Sequence, residues 1–200
     1  MPKKSALKRA VKFIKKPLFL NIVTFIFLGA FTLTLFEIAI SKPSKSQNSR
    51  FVKSHPQFSK SFSGIASVID GDSIRVGENE VRLVGIDAPE YLQTCFDENN
   101  QEYFCGKASH VFLLELAHKK EVECFYSSKD RYNRFLAKCF VNKISINEEL
   151  LKSGMAVIYD FNESEEKMEN LELEAKKQKL GIWRGAFQLP KDYRKSHPRK

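Results

Sequence analysis

The sequence predicts an α+β domain: a small closed barrel of five β-strands with about three helices packed outside it, preceded by an apolar N-terminal helix. Three observations carry this expectation. From residue 61 to 141, short apolar runs of strand length alternate with tight turn signals. Three further stretches carry helical spacing or helix-start signals. Residues 18–40 are almost wholly apolar, with Glu37 as the one charge. Five strands and about three helices over ~125 residues fit one small barrel with helices against it.

The elements follow in order. Residues 1–17 carry seven Lys/Arg and no acid. At about 1.5 Å per residue, residues 18–40 span a hydrocarbon core of ~30 Å. They read as an uncleaved transmembrane anchor, with a signal peptide cleaved near Ala39-Ile40-Ser41 as the alternative. The excess of basic residues before the span puts the N-terminus in the cytoplasm and the domain on the other side. Residues 41–60 are a flexible basic linker rich in Ser, Lys and Pro. The domain follows at 61–188, and 189–200 reads as a basic tail.

Within the domain, Gly64–Ile69 is the first strand, Asp70-Gly71-Asp72 a turn, and Ser73–Val76 the second strand. Gly77-Glu78-Asn79 turns the chain into a third strand, the stretch from Val81 to Glu90, which Pro89 ends. Residues 91–106 form a polar loop. Lys107–Lys119 reads as a helix, with Val111, Leu114 and His118 on one face and Ala108, Phe112 and Leu116 beside it. Glu121–Tyr126 and Phe135–Val141 make a second hairpin. Ser145 and Glu148 form a capping box for a short helix ending near Gly154. Asn162 and Glu165 do the same for a longer helix through Lys179, closed by Gly181, with Met168, Leu171 and Ala175 as its buried stripe. Trp183 reads as a packing residue.

The formal net charge of +9 suggests a nucleic-acid-binding surface, but its distribution argues otherwise. Residues 61–188 hold 16 Lys/Arg against 22 Asp/Glu, a net of −6. The arms are basic and the domain is acidic, so an anionic substrate must be met by a few well-placed arginines and a cation. The cysteines, Cys95, Cys105, Cys124 and Cys139, include no CxxC and no zinc spacing. Four cysteines allow three disulfide connectivities or none. Cys124 and Cys139 fall at near-opposite positions of the second hairpin, so a cross-strand bridge is reasonable there, and Cys95–Cys105 would then close the loop.

Candidate chemistry gathers around Val81–Glu90. Arg82, Asp87 and Glu90 lie within nine residues. A strand rises about 3.3 Å per residue, so they can share one small site. Asp72 is the third carboxylate of interest, whereas Asp70 reads as a turn residue bonding its own backbone. An EF-hand reading fails, because Arg75 and Val81 stand where Gly and Glu are needed. The second concentration is Lys129-Asp130-Arg131-Tyr132-Asn133-Arg134, where planar arginine forks suit phosphate oxygens and Tyr132 offers a face to a base.

Val68-Ile69-Asp70-Gly71-Asp72-Ser73, Val81 to Glu90, and Asp130-Arg131-Tyr132-Asn133-Arg134, in this order and spacing, resemble the staphylococcal nuclease (thermonuclease) family. Asn147-Glu148-x-Leu150-x-x-x-Gly154 and Leu180-Gly181-Ile182-Trp183 extend the similarity to about Ser63–Gly185. The resemblance implies an OB-fold barrel and Ca²⁺-dependent hydrolysis of DNA and RNA, leaving a 3′-phosphate and a 5′-hydroxyl. It implies Ca²⁺ on Asp72, Asp87 and the Ala88 carbonyl, and Glu90 as general base. Arg82 and Arg134 would meet the scissile phosphate, and Arg131, Tyr132 and Tyr159 the nucleotide. Asn133 stands where the family usually has Gly, and only one of two family tyrosines, as Tyr159, is matched. The expected protein is a monomeric, membrane-tethered nuclease acting on nucleic acid, or a periplasmic or secreted one after cleavage near Ser41. The alternatives are a catalytically silent OB module that binds nucleic acid or protein partners, and a structural envelope protein.

Mass spectrometry of the N-terminus of protein isolated from cells is expected to find residues 1–40 retained; a chain starting near Ser41 would select the cleaved form.

Overall fold

Apolar side chains at alternate positions drive β1 (Lys60–Val68), β2 (Ser73–Val76) and β3 (Asn79–Leu83), and Ile74, Val76, Val81 and Leu83 are fully buried. In this computed structural model the described residues are 58–160 and 165–198. The basic arm, the apolar span 18–40, nearly all of the linker, Phe161 and Asn162 lie outside them. Among the described residues no helix is long and apolar enough to cross a membrane.

β1 pairs antiparallel with β2 through Ala66–Val68 and with β7 (Glu121–Lys129) through Lys60–Ile65. It changes partner near Gly64, where an added Cβ would lie 3.2 Å from the Gly77 nitrogen. β7 pairs with β8 (Phe135–Val141), and β8 runs parallel to β3, with Val81 opposite Phe135 and Leu83 opposite Ala137. That pairing closes the order β3-β2-β1-β7-β8 into a five-stranded barrel. The short strand β9 (Ile144–Ser145) extends β8.

The third strand does not run on to Pro89 as a single element. Gly85 adopts φ +80°, which breaks it into β3 and a two-residue strand, β4 (Ile86–Asp87). β4 turns away to pair with β10 (Val157–Ile158). The predicted loop 91–106 contains a small hairpin, β5 (Cys95–Phe96) and β6 (Glu102–Tyr103).

Helix α1 spans Cys105–Ala117, two residues earlier than expected. Its buried stripe is Cys105, Gly106, Ser109, Leu113 and Ala117. Val111 is 49% exposed. Apolar residues lie all round this helix, so hydrophobicity could not choose a face; the small residues mark the side that approaches the barrel. Helix α2 (Ile146–Lys152) begins as expected, with the Ser145 hydroxyl accepting from the Glu148 N–H at 3.3 Å, and ends at Gly154 with φ +66°.

Helix α3 is Glu166–Lys177, shorter than expected at both ends. Glu165 stands at its N-cap without a capping side-chain bond and pairs with Lys138 instead. Lys179 at φ +53° ends it, and Gly181 opens a 3₁₀ turn, Gly181–Arg184. Met168 and Ala175 are buried and Leu171 packs against the core. Trp183 meets Phe187 edge-on at 4.9 Å in a second apolar cluster with Cys95, Cys105, Val157 and Ile182. Residues 190–196, read from sequence as part of a tail, form helix α4 (Pro190–Ser196).

All four cysteines are buried and paired, Cys95 with Cys105 and Cys124 with Cys139, the latter directly opposite across β7 and β8. Cys124 and Cys139 are 15 residues apart. Replacing both with Ala is expected to cost about 3 kcal/mol, read as a lowered midpoint in urea unfolding. Maleimide is expected to label no thiol in the isolated protein before reduction.

Candidate active site

Arg82 stands on β3 with Ser73 of β2 on one side and Leu136 of β8 on the other. Its backbone is therefore fixed by two strands, and its side chain is 17% exposed. The guanidinium pairs with Asp72, with Asp87 Oδ1 at 2.9 Å and with the Ile86 carbonyl at 3.3 Å. Burial pulls its pKa below the ordinary guanidinium value and Asp87 opposes this; the group stays charged. Asp72 also accepts from the Ala88 N–H at 2.9 Å and from the Ser73 hydroxyl at 3.2 Å. Asp70 is the turn residue expected, its Oδ1 accepting from the Asp72 N–H at 3.2 Å. Gly71 is required between them, because a Cβ there would lie 2.7 Å from the Ser109 hydroxyl and 2.8 Å from the Ala88 Cβ.

The strand break that presents Asp87 is held by Asn147, which is fully buried. Its Nδ2 donates to the carbonyls of Val84 at 2.9 Å and Ala137 at 3.3 Å, and its Oδ1 accepts from the Cys139 N–H at 3.1 Å. Asn147 thereby ties the Val84 carbonyl and the Cys139 N–H together where β3 leaves the barrel, and gives the Ala137 carbonyl, which already accepts from the Val84 N–H at 3.0 Å, a second bond.

Arg134 joins the cluster through Ser73. Its Nη1 donates to the Ser73 hydroxyl at 3.3 Å, and that hydroxyl donates to Asp72. Asp130 sets its direction, accepting from Arg134 Nε at 2.8 Å and from the N–H groups of Tyr132 at 2.9 Å and Arg134 at 3.0 Å. Burial works to raise the Asp130 pKa, but these bonds outweigh it and hold the carboxyl below its ordinary range. Asn133 takes φ +67°, which Asn tolerates in place of Gly. Tyr132 is 64% exposed, with Arg131 at 4.8 Å and Arg134 at 5.6 Å from its ring. Tyr159, also exposed, follows β10 and donates its N–H to the Gly85 carbonyl at 3.1 Å.

Glu90 lies on the loop after β4. Its N–H donates to Gln93 Oε1 at 3.2 Å, and Gln93 Nε2 donates to the Gln188 carbonyl at 2.6 Å. A Cβ on Gly106 would fall 1.7 Å from the Glu90 carbonyl oxygen, so the first turn of α1 lies directly against the backbone of this loop. Arg194 of α4 reaches Asp87 with both fork arms, at 2.9 Å to each carboxylate oxygen, and Glu90 Oε1 at 3.1 Å. The bonds to Asp87, then Glu90, push its pKa upward against the effect of burial.

The residues thus form one alternating chain, Asp72, Arg82, Asp87, Arg194, Glu90, with Arg134 attached through Ser73. The sequence reading drew on Asp72, Arg82, Asp87, Ala88, Glu90 and Arg134, and the structure brings these together. Arg131, Tyr132 and Tyr159 stand at the exposed rim. Sequence reasoning missed Arg194 and Gln93. Pro190 at a first helical position, Asp192 in the first turn and basic residues in the last could have marked α4 as a helix. Nothing in the spacing of Gln93 points to its two partners.

A family model described as staphylococcal nuclease homologue matches residues 80–185, just over half of the chain. The chain belongs to this family. An uncharacterized endonuclease of Escherichia coli O157:H7 is 30% identical over 131 residues, covering 63% of this chain and 79% of that protein. The succinoglycan biosynthesis protein ExoI of Rhizobium meliloti (strain 1021) is 38% identical over 123 residues, 60% of this chain and 64% of its own length. A probable endonuclease LCL3 of Phaeosphaeria nodorum is 31% identical over 133 residues, 60% of this chain and 44% of its own. The chain therefore spans less than two thirds of the latter two proteins.

Asp130→Asn keeps the shape of the hairpin tip but removes its charge. It is expected to lose about 1–2 kcal/mol of stability at pH 7. The folded pKa lies below the unfolded one, so this contribution is complete above an ordinary carboxylate pKa of about 4 and is lost as pH falls through the folded value. Urea unfolding of both proteins from pH 7 to pH 2 should show the gap closing at the acid end.

Proposed function

We propose that this protein is a Ca²⁺-dependent nuclease that hydrolyses phosphodiester bonds of DNA, RNA or both. The observation that carries the reading is the joining of Asp72, Arg82 and Asp87 on the barrel, with Arg134 linked through Ser73. Two buried carboxylates on separate elements are held near one buried guanidinium, so this is a place that requires positive charge. Among the described residues no three His, Cys, Asp or Glu side chains stand together at metal-ligating spacing. The donor set that is present consists of oxygens: two carboxylates and the Ala88 carbonyl. That set fits a hard cation such as Ca²⁺, which takes six to eight oxygen ligands and fills the rest with water and phosphate. When bound there, the ion would neutralise charge and polarise the phosphate as a Lewis acid.

The chain's own residues supply the remainder. Arg82 and Arg134 present planar forks to the non-bridging phosphate oxygens, where negative charge grows as water adds to phosphorus. Asp130 keeps Arg134 turned toward the site. Glu90 accepts the proton of the attacking water. The new bond is between that water oxygen and phosphorus, and the bond that breaks is from phosphorus to the 5′-oxygen, which takes a proton from solvent. The products are a 3′-phosphate and a 5′-hydroxyl. Tyr132, Tyr159 and Arg131 offer faces and charge to the neighbouring nucleotide. The two relatives named as endonucleases support the reaction class. The two disulfides favour an oxidising compartment, which agrees with export past a membrane at residues 18–40.

Purified protein is expected to degrade single-stranded DNA with Ca²⁺ present and to stop when a chelator is added. Glu90→Gln should lower turnover by about 10²- to 10⁴-fold. Unchanged cleavage by that variant would remove Glu90 from the role of base. Arg134→Ala should lose turnover while Ca²⁺ affinity, measured by calorimetry, is kept; loss of metal binding first would reverse the division of roles.

A further inference from the structure

Arg194 reaches the candidate site from α4, the last helix among the described residues. It takes both oxygens of Asp87 at 2.9 Å and adds Glu90 at 3.1 Å. We propose that α4 is a strap across the metal site: Arg194 stands in for the cation at Asp87, and the helix must release Asp87 before a divalent ion can bind. The inference rests on Asp72 and Asp87 being the metal ligands.

The geometry makes the two states exclusive. A guanidinium fork seated on both oxygens of a carboxylate occupies the lone pairs that point along its plane. A calcium ion needs those oxygens at about 2.3–2.6 Å, with further oxygens around it. Arg82 already takes one lone pair of Asp87 Oδ1, so the Arg194 fork fills the other and one of Oδ2, and an ion cannot then use the two oxygens together. Asp87 is 2% exposed in its side chain, so repulsion between an ion and the fork would be weakly screened by water. One of the two must leave.

Arg82 also holds Asp87, yet it is not the group that can withdraw. It lies mid-strand between two hydrogen-bonded neighbours and carries the Ile86 carbonyl as a further partner. Arg194 sits on a seven-residue helix near the chain end, with its side chain 33% exposed. Pro190 is the one buried residue of that helix. The side-chain hydrogen bonds that tie α4 and Gln188 to the rest of the domain are the Arg194 fork and the Gln93–Gln188 bond, with Pro190 packed at the first turn. Withdrawing the fork leaves the barrel untouched and opens the edge where Asp87 and Glu90 stand.

The coupling is reciprocal. If α4 weakens cation binding by some factor, the cation weakens docking of α4 by the same factor. The test measures both sides on the full chain. Calorimetric titration with CaCl₂ should show Arg194→Gln binding Ca²⁺ between about five- and a hundred-fold more tightly than the unmodified protein. Arg194→Lys should fall between them, since an ammonium cannot span both oxygens. Hydrogen–deuterium exchange of the unmodified protein should show amides of residues 192–197 exchanging faster with saturating Ca²⁺ than without it. This second measurement does not depend on the variants folding. Equal Ca²⁺ affinity in all three proteins, or unchanged protection of α4 on Ca²⁺ binding, overturns the strap and leaves the metal assignment standing. Absence of Ca²⁺ binding in all three overturns the metal assignment and the strap with it.

Discussion

The candidate site depends on one buried ion-pair cluster, the guanidinium of Arg82 shared between Asp72 and Asp87. Asp72 comes from the turn before β2 and Asp87 from the short strand after the break at Gly85. Each is almost wholly buried. Two carboxylates brought that close with no cation would repel in a medium that screens poorly, and taking each charge out of water costs several kcal/mol. Arg82 offsets both. It can do so because β3 is gripped on two sides, by β2 and by β8, so the arginine cannot retreat to solvent. The same constraint explains the hydrogen bonds around it. Ala88 N–H and the Ser73 hydroxyl take two further acceptor positions of Asp72, and Asn147 ties the backbone where the strand departs.

Much of this was legible in the sequence. The alternation of Ser73–Val76 gives β2 with no error at either end, and the Ser145/Glu148 box begins α2 where it should. Asp72, Arg82, Asp87 and Glu90 stand out by type and spacing, and the resemblance to the nuclease family singles out Arg134 from the run 129–134. The gaps have physical causes. Gly85 sits inside an apolar run, and only its left-handed backbone reveals that the run is two strands. α1 is apolar around most of its circumference, so its buried side is decided by which residues are small enough for close approach. Residues 189–200 were read from their charge as a tail. Charge says nothing about whether an arginine is solvated or drawn into a carboxylate cluster that the fold has assembled more than a hundred residues earlier.

A second group of contacts governs how Glu90 is presented. The Cys95–Cys105 bridge, Gly106 and Gln93 all bear on the same short loop. Gly106 lets the first turn of α1 press against the Glu90 backbone, and Gln93 ties that backbone to Gln188 on the approach to α4. The apolar cluster around Cys95, Cys105 and Ile182 lies apart from the barrel core. Glu90 is therefore positioned from the side of this second cluster, Asp72 and Arg82 by the barrel, and Asp87, paired opposite Val157, stands between the two. A change in one core can alter the placement of the proposed base relative to the carboxylates without loosening the barrel itself.

The parallel seam between β3 and β8 also bears on how the protein folds. The strands it joins, around residues 82 and 136, are separated by most of the barrel's sequence. Contacts of such long range carry the largest loop-closure cost and tend to form late. Asp72, Arg82 and Asp87 come together within β2–β4 and the turn before β2, but Arg134, just before Phe135 at the start of β8, reaches Ser73 only across that seam. Completion of the site, as distinct from its carboxylate cluster, therefore waits on the same late contact.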